Sequence, residues 1–96
     1  MGFIFRWNPT KARKNINKHD VTFEEASTVF SDPLSLTIND EDHSDDEDRL
    51  IILGESARRR LLVVVHTDDN DVIRIISARL AKMQERKIYE EGRTNA

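Results

Sequence analysis

Apolar and polar positions first alternate with period two at Phe3-Ile4-Phe5-Arg6-Trp7, where Phe3, Phe5 and Trp7 share one face. That pattern predicts a short strand. Asn8-Pro9 ends it and opens a helix, because Asn is a favoured N-cap and Pro, lacking an N–H, leaves no orphaned donor in the first turn. The helix is expected from Pro9 to about Lys18, with a thin inner stripe of Ala12, Ile16 and His19 and a cationic edge of Lys11, Lys14 and Lys18. Asp20 then falls where a left-handed C′ residue belongs. Thr22-Phe23-Glu24-Glu25 has the spacing of a capping box and predicts a second helix that turns Phe23, Ala26 and Phe30 inward. It must stop before Asp32-Pro33, since the residue preceding proline is pushed out of the helical region. The two helices meet in a corner at residues 19–21.

Past Pro33 the period returns to two. Leu34, Leu36 and Ile38 alternate with Ser35, Thr37 and Asn39, and the apolar runs Leu50–Leu53, Leu61–Val65 and Val72–Ile76 have strand length and composition. Their short connections favour an antiparallel meander, because a parallel pair needs a crossover of about a dozen residues or more. From Ser77 or Ala78 onward the sequence has high helix propensity, with Gly92 as the stop and the last four residues frayed. The reading is a single α+β domain over residues 1–96: an antiparallel sheet of about four strands, two helices before it and one after.

Composition narrows the function. With 96 residues there is room for one core, and the absence of cysteine removes disulfides, thiolate metal sites and thiol nucleophiles together. No apolar run approaches the roughly 20 residues of a membrane-spanning helix, so a cytoplasmic location is expected. Three glycines, none clustered, exclude dinucleotide-binding and Walker-type phosphate loops. The net charge of −3 conceals an uneven distribution, because residues 40–48 hold seven of the eighteen acids and no Lys or Arg. The remainder is mildly basic, and a basic body tolerates a polyanion. The acidic run reads either as a solvated loop, as a self-contact or partner segment, or as a cation site. An EF-hand frame started at Asp40 fails, with Asp45 where the bend needs Gly and Ile51 where a bidentate Glu belongs. No metal or cofactor is expected.

Three histidines without HExxH spacing give no zinc hydrolase site, and no GxSxG elbow exists. His66, at the end of an apolar run, is either a half-buried strand terminus or an acid–base group. Arg74, in the middle of a strand, is either a surface cation or a phosphate clamp. If Asp69-Asn70 is a two-residue turn, His66 pairs with Ile73 and Arg74 with Val65, which puts the two side chains on opposite faces; a bulge or an odd loop brings them together. Arg58-Arg59-Arg60 is the densest basic cluster. On the last helix, Arg79, Arg86 and Tyr89 form either a solvated face or a platform for RNA phosphates and bases.

Several segments together resemble the BrnT toxins of bacterial type II toxin–antitoxin systems, which are related in fold to RelE-type ribonucleases. They are Phe5-Arg6-Trp7-Asn8, Asn15-Ile16-Asn17-Lys18-His19, Val21-Thr22-Phe23-Glu24-Glu25-Ala26, Val29-Phe30-Ser31-Asp32-Pro33, Val65-His66-Thr67, Ile73-Arg74-Ile75-Ile76-Ser77-Ala78-Arg79 and Glu85-Arg86-Lys87-Ile88-Tyr89-Glu90. The resemblance implies a small endoribonuclease that arrests translation and is held inactive by a ribbon-helix-helix antitoxin, the complex repressing its own operon. It implies Lys18, His19, His66, Arg74 and Arg79 as active-surface residues, with His66 in proton transfer, and Arg60, Glu85, Arg86 and Tyr89 as secondary RNA contacts. Asp20 and Asp69 depart from the family pattern, which has Gly and often a basic residue there. The rival expectation is a non-catalytic partner-binding module that contributes to DNA-bound repression.

Overall fold

A computed structural model describes residues 2–41 and 48–94, so most of the acidic run at 40–48 lies outside the described residues. The elements are β1 (Ile4–Arg6), α1 (Pro9–His19), α2 (Phe23–Ser27) continued by a 3₁₀ turn (Thr28–Ser31), β2 (Leu36–Asn39), β3 (Leu50–Glu55), β4 (Leu61–Asp69), β5 (Val72–Leu80) and α3 (Met83–Thr94). The α+β class and the three helices agree with the sequence reading.

Local chemistry explains the helical corner. The Asn8 side chain accepts from the amides of Thr10 at 2.8 Å and Lys11 at 3.1 Å, so α1 starts where the Asn-Pro pair places it. Asp20 ends it in the left-handed region (φ 57°, ψ 36°), its amide donating to the Ile16 carbonyl. A Cβ makes that conformation costly by about 1 kcal/mol. Asp20→Gly is therefore expected to raise stability by about 0.5–1 kcal/mol, read as a higher urea midpoint at unchanged slope. Thr22 Oγ1 accepts from the Glu25 amide at 3.0 Å, the first half of the capping box. The buried Glu25 carboxylate serves another purpose: it accepts from Arg60 and from the Ser56 hydroxyl, tying α2 to the β3–β4 hairpin.

The sheet has five strands in the order β1-β5-β4-β3-β2. The meander from β2 to β5 is antiparallel as expected, but β1 joins β5 in parallel, with Ile4 opposite Val72 and Arg6 opposite Arg74. The crossover that parallel pairing requires is the intervening body of the chain. Two further expectations change. The β4–β5 turn is Asn70-Asp71, both left-handed at φ 51° and 70°, one residue later than Asp69-Asn70. And β5 runs to Leu80 through the segment expected to be helical, because pairing with the buried strand Leu61–Val65 outweighs a weak helix propensity. The last helix consequently begins at Met83 and continues past Gly92.

The sheet has two unequal faces. Against α1 and α2 lies the main core, including Val21, Phe23, Val29, Ile52, Leu62, Val64, Ile73 and Ile75. Against α3 lies a smaller cluster of Leu53, Leu61, Val63 and Tyr89. The Tyr89 hydroxyl donates to Asp32 Oδ2 at 2.6 Å, and the same oxygen accepts from the Glu55 amide at 2.8 Å, which pins α3 to the end of β3. Beyond Arg74, β5 has no strand on its outer side among the described residues, and Asn15 of α1 takes that place. Its amide nitrogen donates to the carbonyls of Ala78 (2.8 Å) and Val21 (2.9 Å), and its oxygen accepts from the Ala78 amide at 3.1 Å.

Candidate active site

By docking Asn15 on the outer edge of β5, α1 brings its C-terminal residues Lys18 and His19 towards the following strand residue, Arg79. His19 is partly exposed there, and its pKa is lowered below the ordinary value of about 6.5 by partial burial first, then by the charges of Lys18 and Arg79. Arg79 is clamped by Glu85 of α3 through two N–H···O bonds of 2.9 Å each, a bidentate pair that raises the guanidinium pKa and lowers the carboxylate's. Glu85 also accepts from the Lys82 amide at 2.7 Å, so one carboxylate caps α3 and orients Arg79. Lys18, His19, Arg79 and Glu85 thus form one neighbourhood built from three elements.

The bulge in β5 decides where the remaining cations point. Val65 pairs with Ser77 but His66 pairs with Ile75, so Ile76 is the extra residue. Arg74 and Arg79, five positions apart, therefore lie on the same face of the sheet, the α3 side, where a regular strand would separate them. They stand roughly 15 Å apart along the strand. Arg6 of β1 is in register beside Arg74 and equally exposed, a second cation that the sequence reading did not select. Its alternation with Phe5 and Trp7 placed it opposite the aromatic face, but only the parallel pairing puts it next to Arg74.

His66 is a different matter. The same pairing turns it to the opposite face, into the main core, where it is 2% exposed and its ring meets Phe30 edge-on at 4.7 Å. Burial lowers its pKa, against smaller raising contributions from a contact with the Val64 carbonyl and from Asp68. The expected proton-transfer role does not fit this placement: even with the bulge, His66 and Arg74 face apart, and the imidazole is buried against Phe30. A base with a depressed native pKa takes up protons more readily when unfolded. Its contribution to stability is complete above the unfolded pKa of about 6.5 and is lost as pH falls through that value towards the lower native one. The melting temperature is expected to fall as pH is lowered through this window, and His66→Leu to flatten the fall while leaving any RNA cleavage within a few-fold of the parent.

Of the secondary candidates, Arg60 is committed to Glu25 through Nε at 2.9 Å and through Nη2, which also donates to the Asp20 carbonyl at 3.0 Å. Tyr89 is buried against the sheet, so its ring offers no stacking platform. Arg86 is exposed on the far side of α3 near Arg59 and Glu90, away from Arg79. Of that set only Glu85 joins the neighbourhood of His19. Among the described residues no cluster of three or more His, Asp or Glu side chains is arranged to hold a metal ion, and no helix is long and apolar enough to cross a membrane.

Residues 7–85 match the family described as ribonuclease toxin, BrnT, of type II toxin–antitoxin systems. The fold is similar to that of the crystal structure of the Brucella abortus ribonuclease toxin BrnT, with a TM-score of 0.63 and 23% sequence identity over 86% of this chain and 99% of that one. At that identity the structural likeness speaks to the fold. No curated protein matches the chain.

Proposed function

The chain belongs to the BrnT family of ribonuclease toxins of type II toxin–antitoxin systems, and from that premise we propose that it is a metal-independent endoribonuclease whose chemistry centres on His19. The observation that carries this reading is the partly exposed imidazole set beside Lys18 and Arg79, its pKa lowered from the ordinary imidazole value by partial burial and by those charges. A neutral imidazole accepts a proton, and the flanking cations attract the phosphodiester that brings the proton to it.

In the reaction we assign, His19 takes the proton from a ribose 2′-OH, and the 2′-oxygen attacks the adjacent phosphorus. The P–O5′ bond breaks, the leaving 5′-oxygen takes a proton from Lys18 or water, and the products are a 2′,3′-cyclic phosphate and a 5′-hydroxyl. Arg79, oriented by Glu85, stabilises the charge that builds on the non-bridging oxygens. Arg74, further along β5 on the same sheet face, and Arg6 beside it on β1 contact the RNA backbone beyond the scissile bond. Translation stops as messages are cut, and a ribbon-helix-helix antitoxin neutralises the activity and represses the operon in complex with this chain.

Purified protein incubated with single-stranded RNA and excess EDTA is the test. Cyclic-phosphate ends produced at an undiminished rate are expected; cleavage that depends on added divalent cation overturns the reading. The rival reading, a non-catalytic partner-binding module, draws on the Arg79–Glu85 pair, which already engages the guanidinium. It requires intact RNA and normal growth when this chain is induced without its antitoxin.

A further inference from the structure

Four side chains outside the His19 neighbourhood meet in one polar knot. The Glu25 carboxylate of α2, 3% exposed, accepts from Arg60 Nε at 2.9 Å, from Arg60 Nη2 and from the Ser56 hydroxyl at 2.7 Å, with Arg58 Nη1 at 3.6 Å. The hydrogen bonds from Arg60, ahead of every other influence, hold the Glu25 carboxyl below the usual carboxylate range, so the buried pair is ionised. Ser56 Oγ also accepts from the amides of Arg58 and Arg60, which closes the β3–β4 turn around the same carboxylate.

A buried ion pair is a poor device for mere adhesion, because apolar side chains of similar volume hold elements together as well or better. The geometry gives this pair a second use. Arg60 Nη2 donates to the Asp20 carbonyl at 3.0 Å as well as to Glu25. Asp20 directly follows His19 and ends α1 in the left-handed region, a conformation that a residue with a Cβ keeps only where its surroundings enforce it. Two bonds from within α1 already hold this corner: the Asp20 amide donates to the Ile16 carbonyl at 2.9 Å, and Asn15 donates to the Val21 carbonyl. The bond from Arg60 comes from the far hairpin and so ties the last turn of α1 to the sheet. A guanidinium suits the task, since its planar fork serves a carboxylate and a carbonyl at once, whereas a lysine ammonium is a single point of charge.

We propose that Arg60, oriented by Glu25, is a positioning residue of the ribonuclease site: through the Asp20 carbonyl it fixes the last turn of α1 and so keeps the His19 imidazole beside Arg79. The inference rests on the proposed role of His19 for its effect on cleavage, but the placement of the ring does not depend on catalysis.

The test follows the His19 ring by NMR in the full chain, its resonance identified by its loss in His19→Gln, and measures RNA cleavage on the same samples. Arg60→Lys keeps a cation for Glu25 and gives up the second reach. It is expected to lower kcat by about 10–100-fold with KM within about two-fold of the parent, the pattern of a displaced reacting group. The His19 pKa is expected to rise towards the ordinary value of about 6.5, because a loosened turn exposes the ring and draws it away from Arg79. Val29→Ala opens a cavity in the main core instead; it is expected to lower the melting temperature and leave the His19 titration and kcat unchanged. Should Arg60→Lys not fold, Glu25→Gln, which removes the charge that orients Arg60, is read in the same way. A folded variant with the parent titration and the parent kcat overturns the proposal. So does Val29→Ala shifting the His19 titration as far as Arg60→Lys, because general loosening then explains both. Failure of the ribonuclease reading shows separately, as RNA left intact by the parent while Arg60→Lys still moves the His19 titration.

Discussion

His19→Gln lowers RNA cleavage by about 10²–10⁴-fold, the range for removing one positioned proton-transfer group, while the melting temperature stays close to that of the parent protein. The stability side of this expectation follows from the exposure of the ring at the end of α1, where it is not part of either apolar cluster. The pH profile supplies a second readout. Because partial burial, Lys18 and Arg79 all lower the His19 pKa, the acid limb of kcat/KM should fall below the ordinary imidazole value of about 6.5. Removing one of those charges, as in Lys18→Gln, moves that limb upward. A variant lacking His19 that cleaves at the parent rate, or a limb unmoved by Lys18→Gln, assigns proton transfer to another group.

The largest expected loss of stability comes from Asn15→Leu. One side chain provides two donors and one acceptor to buried backbone, and its removal strands the Ala78 amide and carbonyl together with the Val21 carbonyl. Each buried polar group left without a partner costs about 1–3 kcal/mol, which for three groups sums to about 3–9 kcal/mol. For a domain of this size that corresponds to a melting temperature lower by at least about 12 °C, measurable by calorimetry. Asn15→Asp is expected to lose most of the same stability, because a carboxylate keeps the bond from the Ala78 amide but faces two carbonyl oxygens with no hydrogen to offer. A variant with leucine at position 15 that melts like the parent shows that the β5 edge is satisfied without α1.

Where the chain was legible, local chemistry dominates. Asn8-Pro9 and Thr22-Phe23-Glu24-Glu25 mark helix starts through hydrogen bonds that close within three residues, and both are found as expected. The strands announce themselves by alternation because their two faces meet different surroundings. What stayed hidden depends on partners distant in sequence. Nothing near Ile76 announces a bulge, yet that one residue brings Arg79 onto the same face as Arg74. Nothing near Arg60 reveals that Glu25 holds it, and nothing near Tyr89 reveals that it is anchored on Asp32. Residue types in the candidate site were therefore readable, whereas the division into a working cluster of Lys18, His19, Arg79 and Glu85 and a set of structural side chains was not.

The parallel union of β1 with β5 has a consequence for how the molecule comes into being. Ile4 meets Val72, so the first strand has no partner strand until β5 has been synthesised. Closing so long a loop is entropically slow, and contacts of such wide sequence separation delay folding. The seam between β1 and β5 therefore closes only after the strands that lie between them in sequence have been made.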